Sequence, residues 1–304
     1  MSESPVTVPV CYRHPSKETY VRCTRCERPI CPDCMTEASV GHQCPECVAQ
    51  GRRTQRSART AFGGSVAGRD GTATKVLIGI NVFVMIASIA TGGASAIAGG
   101  AWGGLLGSGT PLTVFGAVLG VDAYGPAGEV ALHGIAGNGE WYRLVTAMFL
   151  HYGVLHLLLN MAALWTLGGL LEEQLGRLRF VGLYLLAGLG GNVAAYVFSL
   201  PYAQTAGAST AVFGLMAATF VLFKRLNRSL NSILPVIVIN VIFTFTVSNV
   251  SIPGHLGGML VGGLVAAILA YAPREKRNLI QGVGLGAVFV LLLAIAILRT
   301  LSLV

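Results

Sequence analysis

From Val76 onward the chain alternates between long apolar runs and short polar links. The pattern predicts seven helices, at about Lys75–Ala96, Val145–Leu171, Phe180–Leu200, Ala208–Lys224, Ile233–Ser248, His255–Ala272 and Leu279–Leu298. These runs approach the roughly 17–25 residues that cross a bilayer, which predicts an all-α polytopic membrane protein. The last three links are short. Residues 97–144, between the first two runs, are different: they are rich in glycine, and their apolar run Pro111–Val121 is too short to span. That stretch reads as an extracytoplasmic loop that dips into the interface.

The apolar rhythm is missing before residue 75, where the composition also changes. All seven cysteines lie before Gln50. The chain therefore divides into a Cys-rich head (1–50), a basic linker (51–74) and a membrane body (75–300). With 53% hydrophobic and only 11% charged residues, an ordinary soluble domain is excluded. The N-terminus lacks the apolar core of a secretory signal, so no cleavable leader is expected.

A formal net charge of +8 would suit a nucleic-acid partner, but its distribution suits a bilayer instead. Arg52, Arg53, Arg56, Arg59 and Arg69 precede the first span, and Arg177 and Arg179 follow the second. Lys224, Arg225 and Arg228 follow the fourth, and Arg274, Lys276 and Arg277 follow the sixth. The alternate links carry little basic beyond Arg143. The positive-inside rule then places the N-terminus in the cytoplasm and, after seven crossings, the C-terminus outside. The linker "GRRTQRSART" reads as a solvated or headgroup-contacting segment, and no nucleic acid is expected.

This orientation puts five polar residues in the outer half of the bilayer. His151, His156 and Asn160 fall in the first half of the second span, Ser209 opens the fourth and His255 opens the sixth, while no span contains Asp or Glu. Singly, each has a structural reading: Ser209 a helix cap, a histidine a backbone partner, Asn160 interhelical glue. Together, at one depth and from three helices, they carry the minimum for acyl transfer. An imidazole can take the proton of a serine hydroxyl and return it to a leaving amine. His156 and Asn160, four residues apart, share a helix face from which donors could meet an oxyanion.

The segments "HYGVLHLLLN" (His151–Asn160), "GAS" (Gly207–Ser209), "HLGGMLVG" (His255–Gly262) and "WYR" (Trp141–Arg143) resemble the rhomboid family of intramembrane serine proteases. The resemblance covers about residues 75–300. It implies a six-helix bundle, here with a seventh helix as in longer members, acting on transmembrane segments of other proteins. It further implies Ser209 as nucleophile and His255 as general base. His156 and Asn160, with the Ser209 backbone N–H, would form the oxyanion hole; His151 would support the cluster and Arg143 would hold the first loop. Phe213, one turn after Ser209, is placed to pack on the His255 ring. Gly258 and Gly262 form a small face that lets the sixth helix approach the fourth. Thr210 departs from the family's glycine after the nucleophile, yet it is compatible with a first helical turn, so activity is expected to survive.

In the head, Cys11/His14, Cys23/Cys26, Cys31/Cys34 and Cys44/Cys47 are four pairs with two-residue gaps, enough for two structural zinc sites. Disulfides compete with this reading, but the odd cysteine count and the cytoplasmic placement oppose them. The pattern resembles B-box and other cross-brace zinc fingers. That resemblance implies one site from Cys11, His14, Cys31 and Cys34 and another from Cys23, Cys26, Cys44 and Cys47, with His42 a spare candidate for Cys44. A finger of this kind would also suit a protein partner. Three functional classes remain: an intramembrane protease with a zinc-binding head, a silent relative that binds and routes membrane proteins, and a transporter. The last should show internal repeats or paired interrupted helices, and the sequence shows neither convincingly.

Overall fold

The computed structural model describes residues 8–54, 58–65, 70–97, 108–231, 233–246 and 250–304, without the side chain of Phe243. Arg56 and Arg69 of the linker, part of the first loop and the expected end of the fifth span at Ser248 lie outside the described residues. The chain forms two compact units, Met1–Ser57 and Ala58–Val304.

The first unit is a small cross-connected fold. Strands β1 (Thr36–Glu37) and β2 (His42–Gln43) pair antiparallel and lead into α1 (Pro45–Thr54). Its interior consists of cysteines and Ile30, with Tyr12 and Met35 packed against them.

The second unit is helical. Among the described residues, five helices are long and apolar enough to cross a membrane: α2 (Thr72–Gly92, extended by a 3-10 turn to Ala96), α6 (Val154–Leu175), α7 (Arg177–Phe198), α10 (Ile252–Tyr271) and α11 (Arg277–Leu303). Between them stand α8 (Ser209–Arg225, 17 residues) and the 13-residue α9 (Leu234–Thr246). Exposed Phe83 and Ile86 on α2, and Val290 and Leu298 on α11, give these helices apolar outer faces suited to lipid. α8 is buried along most of its length, packed by α6, α7 and α10. At about 1.5 Å per residue it extends roughly 25 Å, less than the roughly 30 Å apolar core of a bilayer. With Lys224 and Arg225 of its last turn at the polar interface, its first residue, Ser209, would lie short of the opposite one.

Glycines set the packing. A Cβ on Gly258 would fall 2.0 Å from the Thr210 carbonyl oxygen, and one on Gly262 would fall 2.3 Å from the Gly214 Cα. On the other side of α10, a Cβ on Gly257 would meet that of Ala194 on α7 at 2.3 Å. The expected small face is real, and α10 has a second one toward α7. Without side chains at these points the three backbones interlock.

The second span differs from expectation. Val145–Phe149 belongs to α5 (Arg143–Thr146) and a 3-10 turn, and α6 begins only at Val154. Gly153, at φ 96°, breaks the apolar run; hydropathy is blind to a break whose flanks stay apolar. His151 therefore precedes the helix rather than lying within it. At the other end α6 continues to Leu175, so a membrane helix does contain carboxylates, Glu172 and Glu173. Glu172 is fully buried and caps α2, accepting from the N–H groups of Ala73 (2.9 Å) and Thr74 (2.8 Å) and from Thr74 Oγ1 (2.9 Å). A carboxylate at the positive end of a helix satisfies donors that have no intrahelical partner.

The stretch read as a linker is largely structured too. Residues 51–54 continue α1, and 58–65 dock on the ends of the membrane helices. Phe62 is buried there, its carbonyl receives Gln281 Nε2 (3.2 Å), and the Ala61 carbonyl receives Arg277 Nη1 (3.1 Å). The first loop holds α3 (Pro111–Gly116), a hairpin of β3 (Ala123–Tyr124) and β4 (Val130–Leu132), and α4 (Ile135–Asn138).

Candidate active site

Ser209 is the first residue of α8, and the N-cap is Ala208, which makes no side-chain capping bond. The serine hydroxyl meets His255 Nε2 at 2.8 Å. His255 is positioned by its own helix start: Ser251 is the N-cap of α10 and accepts the Gly254 N–H at 3.1 Å, with a proline in the first turn. Phe213 stacks on the His255 ring with centroids 4.1 Å apart and planes 13° from parallel, the contact its position on α8 led us to expect. The far ring nitrogen, Nδ1, lies 2.8 Å from Thr244 Oγ1 on α9. Nothing in the sequence pattern marked Thr244, because α9 and α10 meet only in the folded chain.

His156 and Asn160 both line the pocket that holds Ser209 and His255, together with Tyr152, Gln204 and Asn240. The pocket has a volume of about 90 Å³, room for water beside several polar partners. Asn160 Nδ2 donates to the His156 carbonyl at 2.9 Å, a bond within its own helix. Gly207 has φ +146°, a conformation open mainly to glycine. A Cβ there would stand 3.1 Å from His156 Nε2 and 3.3 Å from Ser209 Oγ. The missing side chain leaves free the space between hydroxyl and imidazole, where an oxyanion could sit. His151, outside the helix, is buried, packs edge-on against the His156 ring at 5.1 Å and receives the Ala208 N–H at a long 3.5 Å.

Arg143 is buried, and its Nη1 donates to the Val114 (2.8 Å) and Ala117 (2.9 Å) carbonyls at the end of α3 while Nε pairs with Glu140. The loop that Arg143 holds pairs in turn with the segment leading to Ser209: Val118 and Thr205 exchange backbone bonds of 2.8 and 3.1 Å. Thr210 is buried. Glycines receive it: a Cβ on Gly191 of α7 would fall 2.6 Å from the Thr210 Cβ, and one on Gly254 would fall 3.3 Å from its methyl.

In the first unit the eight metal-ligand candidates gather as two groups, Cys11–His14–Cys31–Cys34 and Cys23–Cys26–Cys44–Cys47, the donor atoms of each within 4.8 Å of one another. His42 belongs to neither. Cys26 and Cys44 sulfurs are 3.7 Å apart, close to the roughly 3.8 Å edge of a tetrahedron with metal–sulfur bonds near 2.3 Å. His14 Nδ1 lies 3.2 Å from the Cys31 sulfur and 3.4 Å from that of Cys34. Burial opposes ionisation of Cys11 and Cys23, yet surrounding backbone N–H groups pull both thiols down to about 6. Burial beside the neighbouring thiols pushes Cys34 up to about 11 and Cys47 up to about 12. In each group the neighbouring thiols thus oppose one another's ionisation, a repulsion that a divalent cation would relieve. Arg28 Nε donates to the Cys26 sulfur at 3.3 Å, a contact suited to a thiolate.

The site geometry and the helical body define a polytopic membrane protein with a serine–histidine pair inside its bundle. Residues 138–272 match the rhomboid domain family model. The chain is 43% identical over 144 residues to "Rhomboid protease GluP" of Bacillus subtilis (strain 168), covering 45% of this chain and 27% of that protein. It is 35% identical over 146 residues to "Putative rhomboid protease YdcA" of the same organism, covering 46% of this chain and 72% of that protein. A third relative, "RHOMBOID-like protein 6, mitochondrial" of Arabidopsis thaliana, is 36% identical over 157 residues, 47% of this chain and half of that protein. The chain belongs to the rhomboid family. The first unit lies outside the residues matched by the family model.

Proposed function

We propose that this protein is an intramembrane serine endopeptidase that cleaves transmembrane segments of other membrane proteins. The observation that carries the reading is the 2.8 Å contact between Ser209 Oγ and His255 Nε2 in a polar pocket within an apolar bundle. Ser209 Oγ bonds to the scissile carbonyl carbon as its proton passes to His255 Nε2, and the carbonyl π pair moves onto oxygen. His156, Asn160 and the Ser209 N–H at the start of α8 stabilise that oxyanion, with Gly207 leaving it room. His255 then gives the proton to the departing amine as the C–N bond breaks, and water admitted by the pocket hydrolyses the acyl-enzyme.

Two zinc ions held by the two Cys/His groups would cross-link the head, and the catalysis needs none. The head is available to a protein partner, and the distribution of basic residues supports a cytoplasmic N-terminus. Fluorophosphonate labelling tests the activity. Wild type should label and cleave a model transmembrane substrate, and Ser209→Ala should do neither while remaining folded. Thr210 favours one competing reading, a silent family member that binds and routes membrane proteins; a folded wild type that neither labels nor cleaves would establish it.

A further inference from the structure

Thr244 Oγ1 stands between two groups, 2.8 Å from His255 Nδ1 and 2.9 Å from the Asn240 carbonyl oxygen one turn back on α9. It is 4% exposed. A threonine hydroxyl has one proton and a carbonyl can only accept, so both contacts are hydrogen bonds only when that proton goes to Asn240. Oγ1 then meets His255 as an acceptor, and Nδ1 carries a hydrogen. A neutral imidazole has a single N–H, which leaves the Nε2 lone pair facing the Ser209 hydroxyl.

We propose that Thr244 is a positioning residue that selects the base-competent tautomer of His255, an inference that rests on the catalytic reading above. The Phe213 stack cannot do this alone. A half-turn of the ring about its Cβ–Cγ bond keeps the ring in the same plane against Phe213 but exchanges the nitrogen and carbon edges. Only a partner in the ring plane distinguishes the two orientations, and the described residues lining the pocket include no Asp or Glu to serve. Thr244 does so with a neutral hydroxyl. Nδ1–H continues to donate to Oγ1 when Nε2 takes the Ser209 proton, so the ring stays aligned for returning that proton to the leaving amine.

The test compares Thr244→Val, which keeps the shape and removes the acceptor, with Thr244→Ser, which restores it. Thr244→Val should lower kcat and the fluorophosphonate labelling rate about tenfold, with KM within about a factor of two. Its melting temperature should remain close to that of wild type, and Thr244→Ser should recover most of the lost rate. The ¹⁵N spectrum of the imidazoles, with the His255 signal identified by His255→Gln, should show His255 as the Nδ1–H tautomer in wild type and as a mixture in Thr244→Val. Unchanged kcat in Thr244→Val, a Thr244→Ser as slow as Thr244→Val, or an Nε2–H tautomer in wild type overturns the proposal. A wild type that neither labels nor cleaves removes the catalytic reading itself, and this proposal with it. An active wild type with an unaffected Thr244→Val removes this proposal alone.

Discussion

The head and the membrane body reach order by opposite means. In the head, the buried interior is six cysteine side chains around Ile30, far too little apolar surface to fold so short a chain. Metal–ligand bonds at the two Cys/His groups, between residues distant in sequence, would take the place of a core. The body buries a continuous apolar cluster from Phe62 to Ala296, yet lipid is as apolar as leucine, so burial alone does not drive its helices together. Its order comes from backbones brought close by glycine and from a few enclosed polar bonds such as Glu172 with α2. The head should therefore be sensitive to its ions and indifferent to lipid, and the body the reverse.

Removing metal should separate the two most sharply. Structural zinc sites of this kind contribute apparent free energies of about 10–16 kcal/mol. A strong chelator applied to the full chain should abolish the fold of the head while α-helicity and fluorophosphonate labelling persist. Elemental analysis should find two zinc ions per chain; one or none would contradict the two-site reading, and lost labelling would tie the two units together. His42→Ala should retain both ions, whereas Cys44→Ser should lose one.

The converse perturbation acts on the body alone. Ser209→Ala and His255→Ala should each lower cleavage by about 10⁴-fold or more, with metal content unchanged. Residual cleavage at the wild-type rate in Ser209→Ala would show that another group is the nucleophile.

A smaller effect distinguishes chemistry from packing within the body. Asn160→Ala and His156→Ala should each slow turnover roughly 10²–10³-fold, the cost of losing one oxyanion donor. Their stability should change little, since hydrogen bonds between membrane helices average about 0.6 kcal/mol and, among the described residues, the Asn160 side chain bonds within α6. If turnover falls only as far as the folded fraction does, the two residues are structural.

Glycine packing comes next. Gly262→Val places a side chain where the Gly214 Cα lies 2.3 Å from the Cβ position, and overpacking of this kind costs about 1–3 kcal/mol. Stability and activity should fall together as α8 and α10 part, and head metal content should not change. The smallest effect should come from Thr210→Gly, at about 1 kcal/mol or less. Thr210 already occupies space left by Gly191 and Gly254, so restoring the family's glycine should alter labelling by only about threefold; a large gain would show that Thr210 holds the site back.

What was legible in the sequence depended on range. Helices and ligand pairs are local, since a run of apolar residues or a two-residue gap carries its meaning within one or two turns of chain. The Ser209–His255 pairing was legible because both residues open helices at one expected depth. Besides Thr244, three features escaped. The break at Gly153 kept an apolar context, so hydropathy ran the second span through it. Residues 58–65 looked like linker because the surfaces that bury Phe62 are more than a hundred residues away. Glu172 fell just past an estimated helix end, and its buried role required the start of α2, 98 residues earlier.

The sequence by itself determined that the chain crosses a membrane repeatedly, that its head carries two sets of candidate metal ligands, and which serine and histidine could meet. Tertiary structure alone decided that they do meet, that glycine faces on α10 let α7 and α8 close to backbone contact, and that Thr244 stands behind His255. The physical reason is that hydrophobicity and ligand spacing act along the chain and are written in local order. A hydrogen bond of 2.8 Å depends instead on the crossing of two helices, which sequence distance does not encode.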